Sequence, residues 1–337
     1  MSQIAERANV SVAAVSVILK GDAQRQFSSA LVSRVQAIAE ELDYTPNLLV
    51  RSMQRGRTHI LTLYNTFRHR SHDDHYMSRL MTALELAATR RGYDLLISCV
   101  FGDSAEQTYK RLNGGYSDGL ILYCPGPDEP LMRYLRNSRL PTLIVNRVDP
   151  LAALSHIKDD VVDGIDQAAS RLVDLGHRRV AALISHREHN PNAEERVGLM
   201  RRSLLDRGVR IPERWVLDIG DEETTNTLYD NLQRLMSEPE PPTAIFCWHD
   251  ELGYKTLECC ERLGIGIPNR LSIIGYDGLP WPGQKGHKLA AVQVDLDALG
   301  DGIIGLMDEL VGGEVVAPVS RLLPVSFDDG TTLGRSP

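Results

Sequence analysis

Apolar and polar positions change their period along the chain, and the changes divide it into three stretches. Over residues 1–46 apolar residues recur at helical spacing in three short runs: Ile4, Ala5 and Ala8; Val15, Ile18 and Leu19; and Leu31, Val35, Ile38 and Leu42. Ser28 is placed to cap the third run, and Pro46 ends it or lies just beyond its end. A tight break at Asn9-Val10 separates the first two runs, and Ser11 is placed to cap the second. This pattern predicts a helix-turn-helix, three short helices around one small core, which serves to set a helix into the major groove of DNA. In residues 47–57, Asn47 caps a short helical run through Leu48 to Met53, and Gln54-Arg55-Gly56-Arg57 follows as a basic connector. So short a segment does not hold a helix alone.

From Ile60 onward strand-like and helix-like runs alternate. Strands are expected at 60–64, 94–99, 119–123, 142–145, 180–184, 243–247 and 272–275. Amphipathic helices are expected at 76–90, 104–112, 162–175, 194–206, 224–236, 251–263 and 299–310. Alternation of this kind builds parallel sheets covered by helices on both faces. The order occurs twice, before and after about residue 150, which predicts two doubly wound lobes with a ligand cleft between their strand C-termini. The expected organisation is an all-α helix-turn-helix head (1–46), a hinge helix and linker (47–57) and a two-lobed α/β body (58–337).

The net charge of −8 is unevenly spread. Residues 1–60 carry seven basic and five acidic side chains, a net of +2, so the remainder carries −10. A small basic head on an acidic body reads as a focused DNA contact and excludes a protein that coats DNA generally. No run approaches the ~20 apolar residues that span a bilayer. The N-terminus lacks the basic-then-apolar pattern of a secretory signal, so a cytoplasmic location is expected. The five cysteines, Cys99, Cys124, Cys247, Cys259 and Cys260, have no Cys-x-x-Cys spacing, which suits buried thiols in a reducing compartment. Nucleotide-binding, nucleophile-elbow and zinc-protease signatures are absent, so neither a cofactor nor an enzymatic activity is expected.

The stretch from Ile4 through Arg57, with Tyr44-Thr45-Pro46-Asn47 and Val50-Arg51-Ser52-Met53, resembles the DNA-binding head and hinge of the LacI/GalR family of bacterial repressors. The resemblance continues through Leu175-Gly176-His177-Arg178-Arg179-Val180, His249-Asp250-Glu251 and Ile273-Ile274-Gly275-Tyr276-Asp277. There the body is similar to a periplasmic-binding-protein-like type I core. The resemblance implies that Val12, Ala13 and Val17 face base edges, with Val17 replacing a usual Arg. Val and Ala meet the thymine methyl and not polar base edges, so methyl contacts and DNA shape should dominate the readout. Ser11, Ser16, Ser28 and Lys20 would position phosphates, with Asn47, Arg51 and Arg55 in the hinge. Met53 stands where the family wedges a Leu between central base pairs, and an unbranched apolar side chain can still unstack that step.

The same resemblance implies effector contacts. Arg196 matches an Arg that grips a hydroxyl or carboxylate, and Asp277 ends a strand where ligands bind. Tyr76 takes an aromatic position, and His249 replaces a usual Asn. Asp163 and Glu222 are further matches at helix starts. The loop 65–77 departs most from the family, and His69, His72, Asp73, Asp74 and His75 match no standard metal spacing, so a solvated loop is the expected reading. The implied function is a homodimeric, DNA-binding transcription regulator, a repressor on family grounds, reading a pseudo-palindromic operator under control of a small molecule. A sugar or related metabolite is the first choice of effector. A nucleobase or small acid, a solute-binding protein, or an enzyme using His249-Asp250 are the alternatives.

Overall fold

The computed structural model describes residues 1–19, 27–44, 56–65, 75–98, 104–126, 128–185, 191–220, 225–281 and 286–337. It falls into two compact units, Met1–Thr58 and His59–Pro337.

In the first unit, α1 (Ser2–Ala8), α2 (Val12–Leu19) and α3 (Ser29–Glu41) surround a core of Ile4, Ala5, Ala8, Val15, Ile18, Val35 and Ala39. The turn between α1 and α2 depends on Asn9, which takes the left-handed conformation (φ 52°). That conformation lets the Val10 N–H reach the Ala5 carbonyl at 3.0 Å. Ser11 then accepts the Ala14 N–H at 3.1 Å and starts α2, while Ser28 accepts the Leu31 N–H at 3.3 Å and starts α3. Arg34 donates to the Ala8 carbonyl at 2.8 Å, tying α3 to the end of α1.

The second unit runs β1 (Ile60–Asn65), α4 (His75–Arg90), β2 (Asp94–Ser98), α5 (Ala105–Leu112), β3 (Gly119–Tyr123), α6 (Met132–Leu135), β4 (Thr142–Val145), β5 (Ser155–Asp159), α7 (Val161–Asp174), β6 (Val180–Ile184), α8 (Pro191–Asp206), β7 (Val216–Asp218), α9 (Thr225–Met236), β8 (Ala244–Cys247), α10 (Asp250–Arg262), β9 (Ser272–Asp277), β10 (Ala290–Gln293), α11 (Leu296–Gly312), β11 (Ser320–Leu323) and β12 (Ser326–Asp328). Two six-stranded sheets result, ordered β11-β5-β4-β3-β1-β2 and β12-β10-β9-β8-β6-β7. The central strands are uninterrupted buried runs, such as Gly119–Tyr123 and Val180–Ile184, as sheets covered on both faces require. All neighbours are parallel except β12, an antiparallel edge on β10.

The lobe boundary differs from the expected repeat about residue 150. β5 still belongs to the first sheet, and the chain passes between lobes three times: after Asp159, between Gln293 and Leu296, and between Leu323 and Ser326. The second passage occurs because α11 buries Leu299, Ile303, Ile304 and Met307 against Leu61, Leu80, Leu84 and Ile121 of the first lobe. β5, β7, β10, β11 and β12 lack a long apolar run and escaped the periodicity reading, as did the single-turn α6.

α4 and α11 approach so closely at Gly300 that a Cβ built there lies 2.7 Å from the Ala83 Cβ and 2.8 Å from its carbonyl carbon. Helix propensity alone favours Gly→Ala by ~1 kcal/mol, whereas overpacking against backbone costs about 1–3 kcal/mol. Gly300→Ala is therefore expected to lower the urea midpoint of the full chain. An unchanged or raised midpoint contradicts the close approach.

Candidate functional site

Two groups of residues carry the chemistry, one in each unit. In the first unit, α2 presents Val12, 43% exposed, and Ala13 on its open surface, with Ser16 and Val17 half-buried beside them. Ser11 and Ser28 are exposed, and each uses an acceptor lone pair of its hydroxyl as a helix cap. The O–H of each is left to donate, so capping and a phosphate contact are compatible. Lys20, Asn47, Arg51, Met53 and Arg55 lie outside the described residues.

In the second unit the cleft gathers residues from strand C-termini and helix starts, as open α/β sheets dictate. Asn146 follows β4, Asp159 ends β5, Trp248 and His249 follow β8, and Asp277 ends β9. Tyr76 lies in the first turn of α4, Arg196 in α8, and Asp250 opens α10. Arg196 is buried, and its Nη2 stands 3.2 Å from Asp277 Oδ1, an ion pair and not an aligned hydrogen bond. Its Nη1 donates to the Trp248 carbonyl at 3.0 Å, and its guanidinium lies over the Tyr276 ring, 3.6 Å from the centroid. The Tyr276 hydroxyl donates across the cleft to Asp159. On the first lobe, Asn146 Nδ2 donates to the Tyr76 hydroxyl at 2.9 Å. Glu195 of the second lobe pairs with Lys158 at 3.1 Å and Arg147 at 3.2 Å on the first.

Burial and the nearby carboxylates shape the ionisation of this cluster. Desolvation raises Asp277 to about 6, against the opposing pull of Arg196 and His249. Burial and then the Asp277 charge raise Asp250 well above the usual carboxylate range. Burial, with Asp159 and Asp277 nearby, keeps Tyr76 a neutral phenol. The Oδ1 atoms of Asn146 and Asp277 are buried without a hydrogen-bond partner, so the cleft offers acceptors to a ligand.

Of the six effector residues expected from the sequence, the fold brings Tyr76, Arg196, His249 and Asp277 to one place. Asp163 is not among them. It sits exposed in the first turn of α7, where its N–H is taken by Asp160 at 3.2 Å and its carboxylate by Gln167 at 2.7 Å. Glu222 lies outside the described residues, as do His69, His72, Asp73 and Asp74. His75 meets the Trp281 ring edge-on with centroids 4.8 Å apart. Among the described residues no group of three His, Cys, Asp or Glu could hold a metal. His249 Nδ1 accepts the Leu252 N–H at 3.1 Å and so caps α10. Asp250 accepts the Leu279 N–H at 2.6 Å and holds the turn after β9. The His249-Asp250 pair is thus engaged in the backbone around it.

The family described as bacterial regulatory proteins, lacI family, matches residues 1–47, and a periplasmic binding protein-like domain matches residues 169–333. The HTH-type transcriptional repressors PurR of Shigella sonnei and of Escherichia coli O139:H28 are each 26% identical over 321 residues, covering 92% of this chain and 90% of the relative. The lac repressor dimer bound to operator and the anti-inducer ONPF superposes with a TM-score of 0.82 at 22% identity, over 98% of this chain and 97% of that one. A transcriptional regulator CelR–cellobiose complex superposes at 0.69 with 23% identity, over 98% of both chains. The chain thus joins a lacI-family DNA-binding domain to a periplasmic-binding-protein-like domain.

With these two domains, and with repressors as its relatives, it is a DNA-binding transcriptional regulator under small-molecule control, and not an enzyme. None of the described helices is long and apolar enough to cross a membrane. Sequence reasoning missed Asn146, Asp159, Trp248 and Tyr276 as site residues. Asn146 was within reach, because it directly follows an apolar run read correctly as a strand.

Asp250 generates a test. Its carboxyl has a higher pKa in the folded chain than in the unfolded one, so the native state holds a proton more firmly. The stability this contributes is full below about pH 4 and is lost as the pH rises through the native value. Asp277 acts with the same sign between about pH 4 and 6. Asp250→Asn cannot ionise, so it should gain stability relative to the parent between about pH 5 and pH 8 in urea unfolding. A difference independent of pH contradicts the buried, protonated Asp250.

Proposed function

We propose that this chain is a cytoplasmic, homodimeric repressor whose effector is a sugar or a related hydroxylated metabolite held between the lobes. Residues 1–46 read a pseudo-palindromic operator, residues 47–57 pair as hinge helices in the minor groove, and residues 58–337 bind effector and dimerise. A twofold dimer presents two α2 helices to two half-sites. Val12, Ala13 and Val17 select thymine methyls, and Met53 wedges the central step. The effector favours one arrangement of the lobes, and that arrangement permits or forbids hinge pairing on the operator.

The observation that supports the effector class is a guanidinium in one cleft with two acceptors that lack a hydrogen bond, one of them ion-paired to it. The Oδ1 atoms of Asn146 and Asp277 accept from hydroxyls, while Arg196 donates to a ring or hydroxyl oxygen. A protein of the same fold is held with cellobiose, in keeping with a polyhydroxylated ligand in such a cleft.

A thermal-shift screen of the full chain against neutral sugars, nucleobases and small carboxylic acids tests the assignment. A ligand at a hundredfold its dissociation constant adds about 2.7 kcal/mol of stability, enough to see. One or more sugars should raise the melting temperature, and Arg196→Met should abolish the shift. A shift with nucleobases or acids alone overturns the sugar assignment, and a sugar shift that survives Arg196→Met places the ligand elsewhere.

A further inference from the structure

The three passages between the lobes enclose a cavity of about 140 Å³ apart from the effector cleft. Asp159 comes from the first passage, Val294 and Asp295 from the second, and Leu323 and Pro324 from the third. Ala298 and Leu299 of α11 complete the wall. An apolar cavity of roughly 150 Å³ accepts a benzene ring, so the space suits one ring or a branched chain of that size. Five of the seven lining residues are apolar, two are carboxylates, and none is basic.

That lining discriminates by chemistry. The apolar walls disfavour a polyol, whose hydroxyls would lose water without gaining partners. The two carboxylates repel an anion. The positive end of α11 does not reverse this, because Asp295 already accepts the Ala298 N–H at 2.9 Å there. Asp159 is buried and forms part of the wall of both this cavity and the effector cleft, where it accepts the Tyr276 hydroxyl from the second lobe.

We propose that this hinge cavity is a second ligand site, for a primary amine carried on an apolar body about one ring in size. The ammonium meets Asp159, and the ring packs on Val294, Leu299 and Leu323. Residues of all three passages contact the ligand, so its binding depends on the angle between the lobes. The ammonium also competes with Tyr276 for Asp159, which couples the cavity to the cleft without a shared ligand. The site is independent of which molecule serves as effector.

The test uses the full chain, with benzylamine as probe and benzoate as its counterpart of similar shape and opposite charge. Calorimetry should show saturable binding of benzylamine at one site per chain and none of benzoate. Ala298→Trp fills the cavity from an exposed helix position and should abolish benzylamine binding. Tyr276→Phe removes the hydroxyl that competes for Asp159 and should tighten benzylamine a few-fold. Benzylamine that does not saturate, benzoate that binds equally, or binding undiminished in Ala298→Trp overturns the site. Unchanged or weaker binding in Tyr276→Phe overturns its coupling to the cleft. Should Ala298→Trp fail to fold, the comparison of benzylamine with benzoate on the unmodified chain decides.

Discussion

Arg196 carries a positive charge into a buried position, and a guanidinium left unpaired there would cost several kcal/mol. The surrounding structure supplies what water would have. Asp277 gives a counter-charge, the Trp248 carbonyl accepts a hydrogen bond, and the Tyr276 ring offers its negative face. The arrangement constrains its neighbours in turn. Asp277 sits at the end of β9 with φ 114°, a strained value for a residue with a side chain, and the turn that follows is held by Asp250. With its ring beneath the guanidinium, Tyr276 aims its hydroxyl at Asp159 in the other lobe. One buried cation therefore organises the second lobe's half of the cleft and its contact with the first.

Several polar and ring contacts join the lobes across the cleft among the described residues. Besides Tyr276 with Asp159, Asn192 with Cys124 and the His75–Trp281 ring contact, the Glu195 pairs with Lys158 and Arg147 span it, and these are only partly buried. Water partly screens these pairs, which limits what each contributes to the balance between lobe arrangements. A ligand that supplies donors to Asn146 and Asp277 can bias that balance by its own differential affinity, which is what an effector must do. Each lobe keeps its own sheet and core, and the three passages join them at one hinge.

Much of the architecture was legible because it rests on periodicity. The head's helices, their caps at Ser11 and Ser28, and the central strands all follow from apolar spacing and short polar caps. What escaped were elements whose signal lies in partners distant along the chain. β5 reads Ser155-His156-Ile157-Lys158-Asp159, with one strongly apolar residue, and becomes a strand because β4 and β11 flank it. The site shows the same division. Arg196, His249 and Asp277 lie in stretches with a local pattern, whereas Asp159 matters because Tyr276, distant along the chain, reaches it across the cleft. Asp163 misled because an acid in a first helical turn fits a ligand contact and a helix start equally well, and the latter is what its neighbours Asp160 and Gln167 make of it.

The Arg196 cluster is what holds the two lobes in one arrangement. The most direct measurement is the distance between spin labels on the two lobes, at Glu106→Cys and Glu258→Cys, in the full chain with and without Arg196→Met. Both positions are exposed. A single narrow distribution is expected with Arg196 present and a broader, longer one in Arg196→Met, because Tyr276 loses the guanidinium that lies over its ring. The same narrow distribution in both chains would contradict it.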